Sequence, residues 1–377
     1  MTQYDLLLRG GEVIDPASGR RGNFDVAFSG DRVAAIEPSI DPNLAAKTEN
    51  VSGFLVVPGL IDMHVHAFDG LAADVSADSV CLTRGATTVA DGGGAGAYAF
   101  GLFRRVASEN RTRTLAWLNL STIGQVDVRG GELLLLPHAD VEAAVKTAKA
   151  NPDLIVGLKA RLSTYAAGGT CKPALRLLRE AADATGLPVM VHIGDTGEPL
   201  PEIFEFLKAG DVVTHCLTGR KFGILRARDG KIIPEAFEAR KRGILFDAAR
   251  GRNHLAFPVL RAAVEQGFLP DTLSTDTTAL AAEDPYFGLP MIATQLLALG
   301  VPLEDVLSRM TVRPAAALRR SELGRLGAGG IGDATVLRIE RGSFTAQDVD
   351  GREMAVDERL VAVGVVRAGS YVAATPV

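Results

Sequence analysis

The chain has 377 residues, 47% hydrophobic and 23% charged, with a formal net charge of −5; this is enough for a large core plus a minor domain. No basic run exceeds Arg240-Lys241-Arg242, which leaves no electrostatic footprint for nucleic acid or an acidic membrane. No apolar stretch approaches the ~20 residues of a membrane span, and Met1 to Gly10 lacks the make-up of a signal peptide, so a soluble, cytoplasmic protein acting on a small molecule is expected.

From Tyr4 to Ile40 the chain reads as short β-like pieces, Asp5–Leu8, Phe24–Phe28 and Arg32–Ile36, broken by Gly10-Gly11, Asp15-Pro16 and Gly30-Asp31. The same texture returns in Ala334–Ile339 and Leu360–Val366. Neither end can bury a two-sided core alone, so one small β-sandwich domain built from residues 1–57 and 320–377 is expected. Between the ends, residues 58–319 alternate apolar strand-like runs with helical stretches such as Asp140–Ala150, Pro173–Thr185 and Leu303–Arg309. The candidate strands are Leu60–His66, Ala86–Gly92, Thr114–Ser121, Leu154–Leu162, Pro188–Gly194, Val212–Leu217, Ile244–Ala249 and Leu273–Thr277. Eight such units predict an α/β fold, a TIM-like (β/α)8 barrel; an open doubly wound sheet is the alternative. Gly92-Gly93-Gly94-Ala95-Gly96 lacks a phosphate-loop lysine and reads as a tight loop near the site. Cys81, Cys171 and Cys216 are widely spaced, which argues against a disulfide framework and for core packing.

Barrel chemistry sits at the carboxyl ends of strands, and the polar residues there form a set. His64 and His66 share a side because strand side chains repeat every two residues. Lys159 lies inside the apolar run of the fourth strand, with His192, His215 and Asp276 near the ends of the fifth, sixth and eighth. His138 and His254 fall in loop-like sequence and stay outside the set. Imidazoles and a carboxylate suit zinc. An ammonium buried beside cations costs several kcal/mol unless its charge is removed; a neutral lysine amine can take up carbon dioxide, giving a carbamate that can bridge two ions about 3.5–4 Å apart.

The order His-x-His, Lys, His, His, Asp resembles the amidohydrolase superfamily of binuclear metal hydrolases along essentially the whole chain, including Gly329-Gly330-Ile331-Gly332-Asp333-Ala334 at the return to the β domain. The resemblance implies two divalent ions, with zinc expected: one held by His64 and His66, the other by His192 and His215, bridged by carbamylated Lys159. It implies that Asp276 binds metal and shuttles the proton for a hydroxide shared by the two ions. Gly157–Arg161, Val191–Gly194, Gly210–Cys216 and Leu245–Asp247 are similar to the dihydroorotase-like amidohydrolase/deacetylase branch. Phe68 occupies the place of the arginine that dihydroorotases use. Ala249-Arg250-Gly251 and Thr278 depart from the branch, which tends to carry histidine after strand seven and two residues past the aspartate.

The expected activity is therefore deacylation of a small carboxylate-bearing compound, an N-acyl amino acid or O-acyl hydroxy acid, with dihydroorotase-like or cyclic-imide ring opening as the alternative. Arg161, on the face of Lys159, can fork onto a carboxylate, and Asn119 can hydrogen-bond the substrate; a salt bridge at the barrel rim is an equal reading of Arg161. A homo-oligomer is expected.

Overall fold

The computed structural model describes residues 2–71, 74–126, 130–169, 171–282 and 287–375. Five strands open the chain: β1 (Tyr4–Asp15), β2 (Arg20–Ser29), β3 (Arg32–Glu37), β4 (Ala45–Asn50) and β5 (Leu55–Pro58). The central region supplies β6 (Leu60–Val65), β7 (Ala86–Asp91), β8 (Arg113–Asn119), β9 (Ile155–Arg161), β10 (Val189–His192), β11 (Val212–Thr214), the hairpin β12 (Leu225–Arg226) and β13 (Lys231–Ile232), and β14 (Leu245–Asp247). The chain then returns through β15 (Ala334–Gln347), β16 (Glu353–Arg367) and β17 (Ser370–Ala373).

Both ends of the chain enter one sheet, in the order β17-β16-β15-β5-β1-β2-β3, with β4 also paired to β1. Strand alternation divides its side chains: Leu6 and Leu8 join Val26, Phe28 and Val336 in one core, while Leu7 meets Ala27 and Ile40 on the other face. The antiparallel pairing of β5 with β15 places this sandwich directly before β6.

Seven parallel strands, β6 to β11 and β14, form the second sheet. On β10, Val189 and Val191 pack outward against the helical layer while Met190 belongs to the barrel floor, so His192 shares the inward side. On β6 the pairing with β7 slips between Asp62 and Val65. This bulge leaves Met63 on the floor and Val65 in the outer core, with His64 and His66 above Met63. Trp117 fills the floor, wholly buried, and donates to the Met63 carbonyl at 3.0 Å.

The eighth strand expected at Leu273–Thr277 is not a continuous strand. Residues 272–277 instead close the ring by single bridges, Asp247 to Thr272 and Val65 to Thr277. Ala248 and Arg250 donate to the carbonyls of Thr272 and Ser274, and Asp276 donates to that of His64 at 2.7 Å. Regular pairing stops because Asp276 has a left-handed backbone, φ 53°, which a strand cannot continue through.

Gly157 is the position where a side chain would disturb the floor most directly, since a Cβ there would fall 2.2 Å from the Trp117 ring and 2.7 Å from the Pro188 carbonyl. Gly157→Ala should therefore cost about 1–3 kcal/mol by overpacking. Urea unfolding checks this, and an unchanged midpoint would show that the floor can yield.

Candidate metal centre

Four inward-facing imidazoles form one contiguous cluster at the carboxyl end of the barrel. The ring centroids of His64 and His66 lie 5.8 Å apart, those of His64 and His215 5.1 Å, and those of His192 and His215 4.3 Å. Asp276 reaches across from the closing segment, its Oδ1 3.0 Å from His66 Nε2 and 3.5 Å from His64 Nε2. Lys159 Nζ lies 3.1 Å from His64 Nε2 and 3.2 Å from the Met190 sulfur, with its side chain wholly buried. The Gly-rich loop permits this approach: a Cβ at Gly92 would strike His64 at 2.3 Å. His215 and Asp276 both hold left-handed backbones, φ 69° and 53°, a conformation that costs on the order of 1–3 kcal/mol and concentrates at functional sites.

Burial, reinforced by neighbouring cationic groups, pushes His64, His192 and His215 well below the ordinary imidazole range, so all three are neutral near pH 7. His66 is the exception: burial lowers it, but the hydrogen bond and charge of Asp276 prevail and hold it above its usual value. Neighbouring groups fix which nitrogens carry protons. His215 Nδ1 meets the Ala249 carbonyl at 2.8 Å, an acceptor only, so the proton sits there and the Nε2 lone pair turns inward. Thr214 donates its one hydroxyl proton to Asp247 Oδ2 at 2.8 Å and so accepts from His64 Nδ1 at 2.8 Å, leaving His64 Nε2 with the lone pair. Asp247 is itself wholly buried and also accepts from Thr272 and Ser274.

The donor set fits metal. Among the described residues, His192 Nε2 and His215 Nε2 are buried without a hydrogen-bond partner, a costly state for a polar atom unless something coordinates it. The ligand atoms of His64, His66 and Asp276 lie within 4.8 Å of one another, as do those of His192, His215 and His254.

His254 is the residue that sequence reasoning set aside. Its ring stacks on His215 at 4.0 Å and meets His192 edge-on at 4.9 Å. Burial lowers its pKa to about 4. It lies on the turn after β14, where no strand period gave a signal for it. His138 lies apart, in the short turn Leu136–His138. A pocket of about 310 Å3 opens above the cluster, lined among others by His66, Arg161, His192, His254, Asp276 and Thr278.

Of the two expected substrate residues, Asn119 is turned away from the pocket, while Arg161 lines it and makes the salt bridge that was the equal reading of its position. Asn119 is wholly buried, its amide donating to the Gly93 carbonyl at 3.0 Å and accepting from the Ser121 amide at 2.9 Å; it fixes the loop and does not face the pocket. Arg161 lines the pocket, but its fork is already closed on buried Glu132, with Nε at 2.8 Å from Oε1 and Nη2 on Oε2. Phe68 packs against Phe103 in the core, ring centroids 5.6 Å apart. Cys216 is buried and its thiol pushed well up by burial, which leaves it unreactive.

A closed α/β barrel with convergent imidazoles, a buried lysine and an aspartate at its carboxyl end defines a metal-dependent hydrolase class. The chain belongs to the amidohydrolase family, whose model matches residues 55–356. It is 32% identical over 332 residues to deacetylase Atu3266 of Agrobacterium fabrum, covering 87% of this chain and 81% of that protein. Its fold is similar to a crystal structure of an adenine deaminase (TM-score 0.91, 28% identity, 98% of this chain and 100% of the other). It is also similar to one of a dihydroorotase (TM-score 0.90, 28% identity, all of both chains).

If Thr214, held by Asp247, orients His64, Thr214→Val should weaken zinc binding by roughly 10–100-fold. Competition with a chelator measures this, and unchanged affinity would remove Thr214 from that role.

Proposed function

We propose that this protein is a binuclear metal-dependent deacylase of small carboxylate-bearing compounds, N-acyl amino acids or O-acyl hydroxy acids. The observation that carries the reading is the pair of unpartnered, buried Nε2 atoms on His192 and His215, beside a lysine amine in contact with His64. His64, His66 and Asp276 would hold one divalent ion and His192 and His215 a second, with zinc favoured by the nitrogen-rich set. Bound there, the ions would supply an activated water near neutral pH and polarise the acyl carbonyl.

Lys159 is prepared for modification. Burial brings its pKa down to about 7, so neutral amine able to attack carbon dioxide is available near neutral pH, releasing a proton as the carbamate forms. The sign is definite: the neutral fraction grows as pH rises through 7. At a fixed concentration of dissolved carbon dioxide, loading of the metal-free protein with zinc should therefore accelerate between about pH 6 and 8 and then level off. A rate flat across that interval would argue against the carbamate.

Asp276 serves as the proton carrier. Its Oδ1 is engaged by the two imidazoles, while the carboxylate borders the pocket, within reach of both an attacking water and a leaving nitrogen or oxygen. It would take the proton as water adds to the acyl carbon and return it as the C–N or C–O bond breaks. The neighbouring imidazoles hold that carboxylate in place.

Asp276→Asn should keep the fold and lower turnover by roughly 10²–10⁴-fold, and near-normal turnover would remove Asp276 from the mechanism. The substrate class is tested by a hydrolysis screen of the zinc-loaded protein against N-acyl-D- and L-amino acids, O-acyl hydroxy acids, dihydroorotate, hydantoins and adenine. Deacylation is the expected result. Preferential turnover of dihydroorotate, hydantoins or adenine would replace this reading with ring opening or deamination, in line with the dihydroorotase and adenine deaminase likenesses.

A further inference from the structure

Three arginines approach the mouth of the site in different states. Arg161 is forked onto buried Glu132, so its charge is compensated before any ligand arrives. Arg250 is buried, its guanidinium 4.2 Å over the Phe287 ring, and it is not part of the pocket wall. Arg252 lines the same pocket as His66, His192 and Asp276, is exposed, and has no hydrogen bond, ion pair or ring contact among the described residues.

The backbone on both sides of Arg252 is fixed. Gly251 has φ 48°, and a Cβ there would fall 2.3 Å from Asp276 Oδ2. Asn253 Oδ1 accepts from Arg220 at 3.3 Å, and His254 is stacked on His215. The turn thus holds an uncompensated cation at the edge of the pocket. A guanidinium with its fork open matches a carboxylate in two parallel hydrogen bonds.

We propose that Arg252 is the specificity-determining anchor of this site and binds the carboxylate of the substrate's leaving group through its open fork. The proposal deepens the deacylase reading and rests on it: the substrate class becomes an acyl amide or ester whose leaving group carries a carboxylate able to reach residue 252 while the acyl carbon lies over Asp276.

The test compares wild type, Arg252→Ala and Arg252→Lys, each zinc-loaded and checked for equal metal content, on the best acyl substrate of the screen and on its methyl ester. Wild type should prefer the free acid. Arg252→Ala should lower kcat/KM for the free acid by tenfold to about a hundredfold, the range of a charged hydrogen bond, and should lower it for the ester at least tenfold less. Arg252→Lys, which keeps charge but loses the fork, should fall between. Equal losses on both substrates, or none on the acid, would overturn the anchor and leave deacylation standing.

A binding measurement separates the two readings. Calorimetric titration with succinate and with succinamide should show wild type binding succinate at least tenfold more tightly, with the difference lost in Arg252→Ala. That result without turnover of any acyl compound would retain the anchor and discard the deacylase. No preference in wild type, or a preference surviving in Arg252→Ala, would overturn the anchor whatever the turnover.

Discussion

The buried carboxylate of Asp247 is the constraint on which the rest of the site depends. It ends β14, accepts from Thr214 at the end of β11, and accepts from Thr272 and Ser274 in the segment that closes the barrel. Burial pushes its pKa up, opposed by those hydroxyl donors. A single group therefore joins two strands to the closing segment and, through Thr214, sets the proton of His64. Removing any donor from such a wholly buried acid leaves an oxygen underpaired in a low-dielectric interior, which makes the hub costly to alter piecemeal. Asp62 is its counterpart on β6, accepting from the Thr275 amide at 3.0 Å and from the Thr275 hydroxyl. The closing segment, too irregular to be a strand, is held from both sides by carboxylates.

Much of this was legible in sequence, for a physical reason. Parallel barrel strands are buried on both faces, so a polar residue at the end of an apolar run stands out; that is how His64, His66, Lys159, His192, His215 and Asp276 are found. Their convergence follows from the period of two and from closure. The eighth strand was legible as a run but not as a conformation, because its regularity is broken by the backbone of Asp276 and not by a residue that signals a turn. The role of Asp247 was not legible, since nothing in Leu245-Phe246-Asp247 reports the three hydroxyls that meet it. His254 and Arg252 lie on a turn after β14, where no periodicity ties side chains to a direction. Asn119 and Arg161 show what strand position leaves open: both stand on the expected strands, but which partner takes each polar group, loop backbone for Asn119 and Glu132 for Arg161, is set by residues distant in sequence or by a loop's path.

The site also divides electrostatically. His64, His192 and His215 are held neutral by burial, while His66 pairs with Asp276 and Arg161 with Glu132. These two charge pairs are compensated within the cluster, and the open guanidinium lies outside it, on the pocket wall. Such an arrangement separates attraction of a ligand from the groups that act on it.

The left-handed backbones at His215, Ala249, Gly251 and Asp276 bear on how this enzyme can diversify. Positions with φ in this region tolerate few side chains, glycine first and then asparagine or aspartate, so four points around the reaction centre are nearly closed to exploration. Arg252, Asn253 and Leu280, by contrast, are exposed and line the pocket. New substrate ranges should arise by drift at this outer rim, and laboratory evolution that randomises the rim while sparing the four strained positions would sample mostly folded variants.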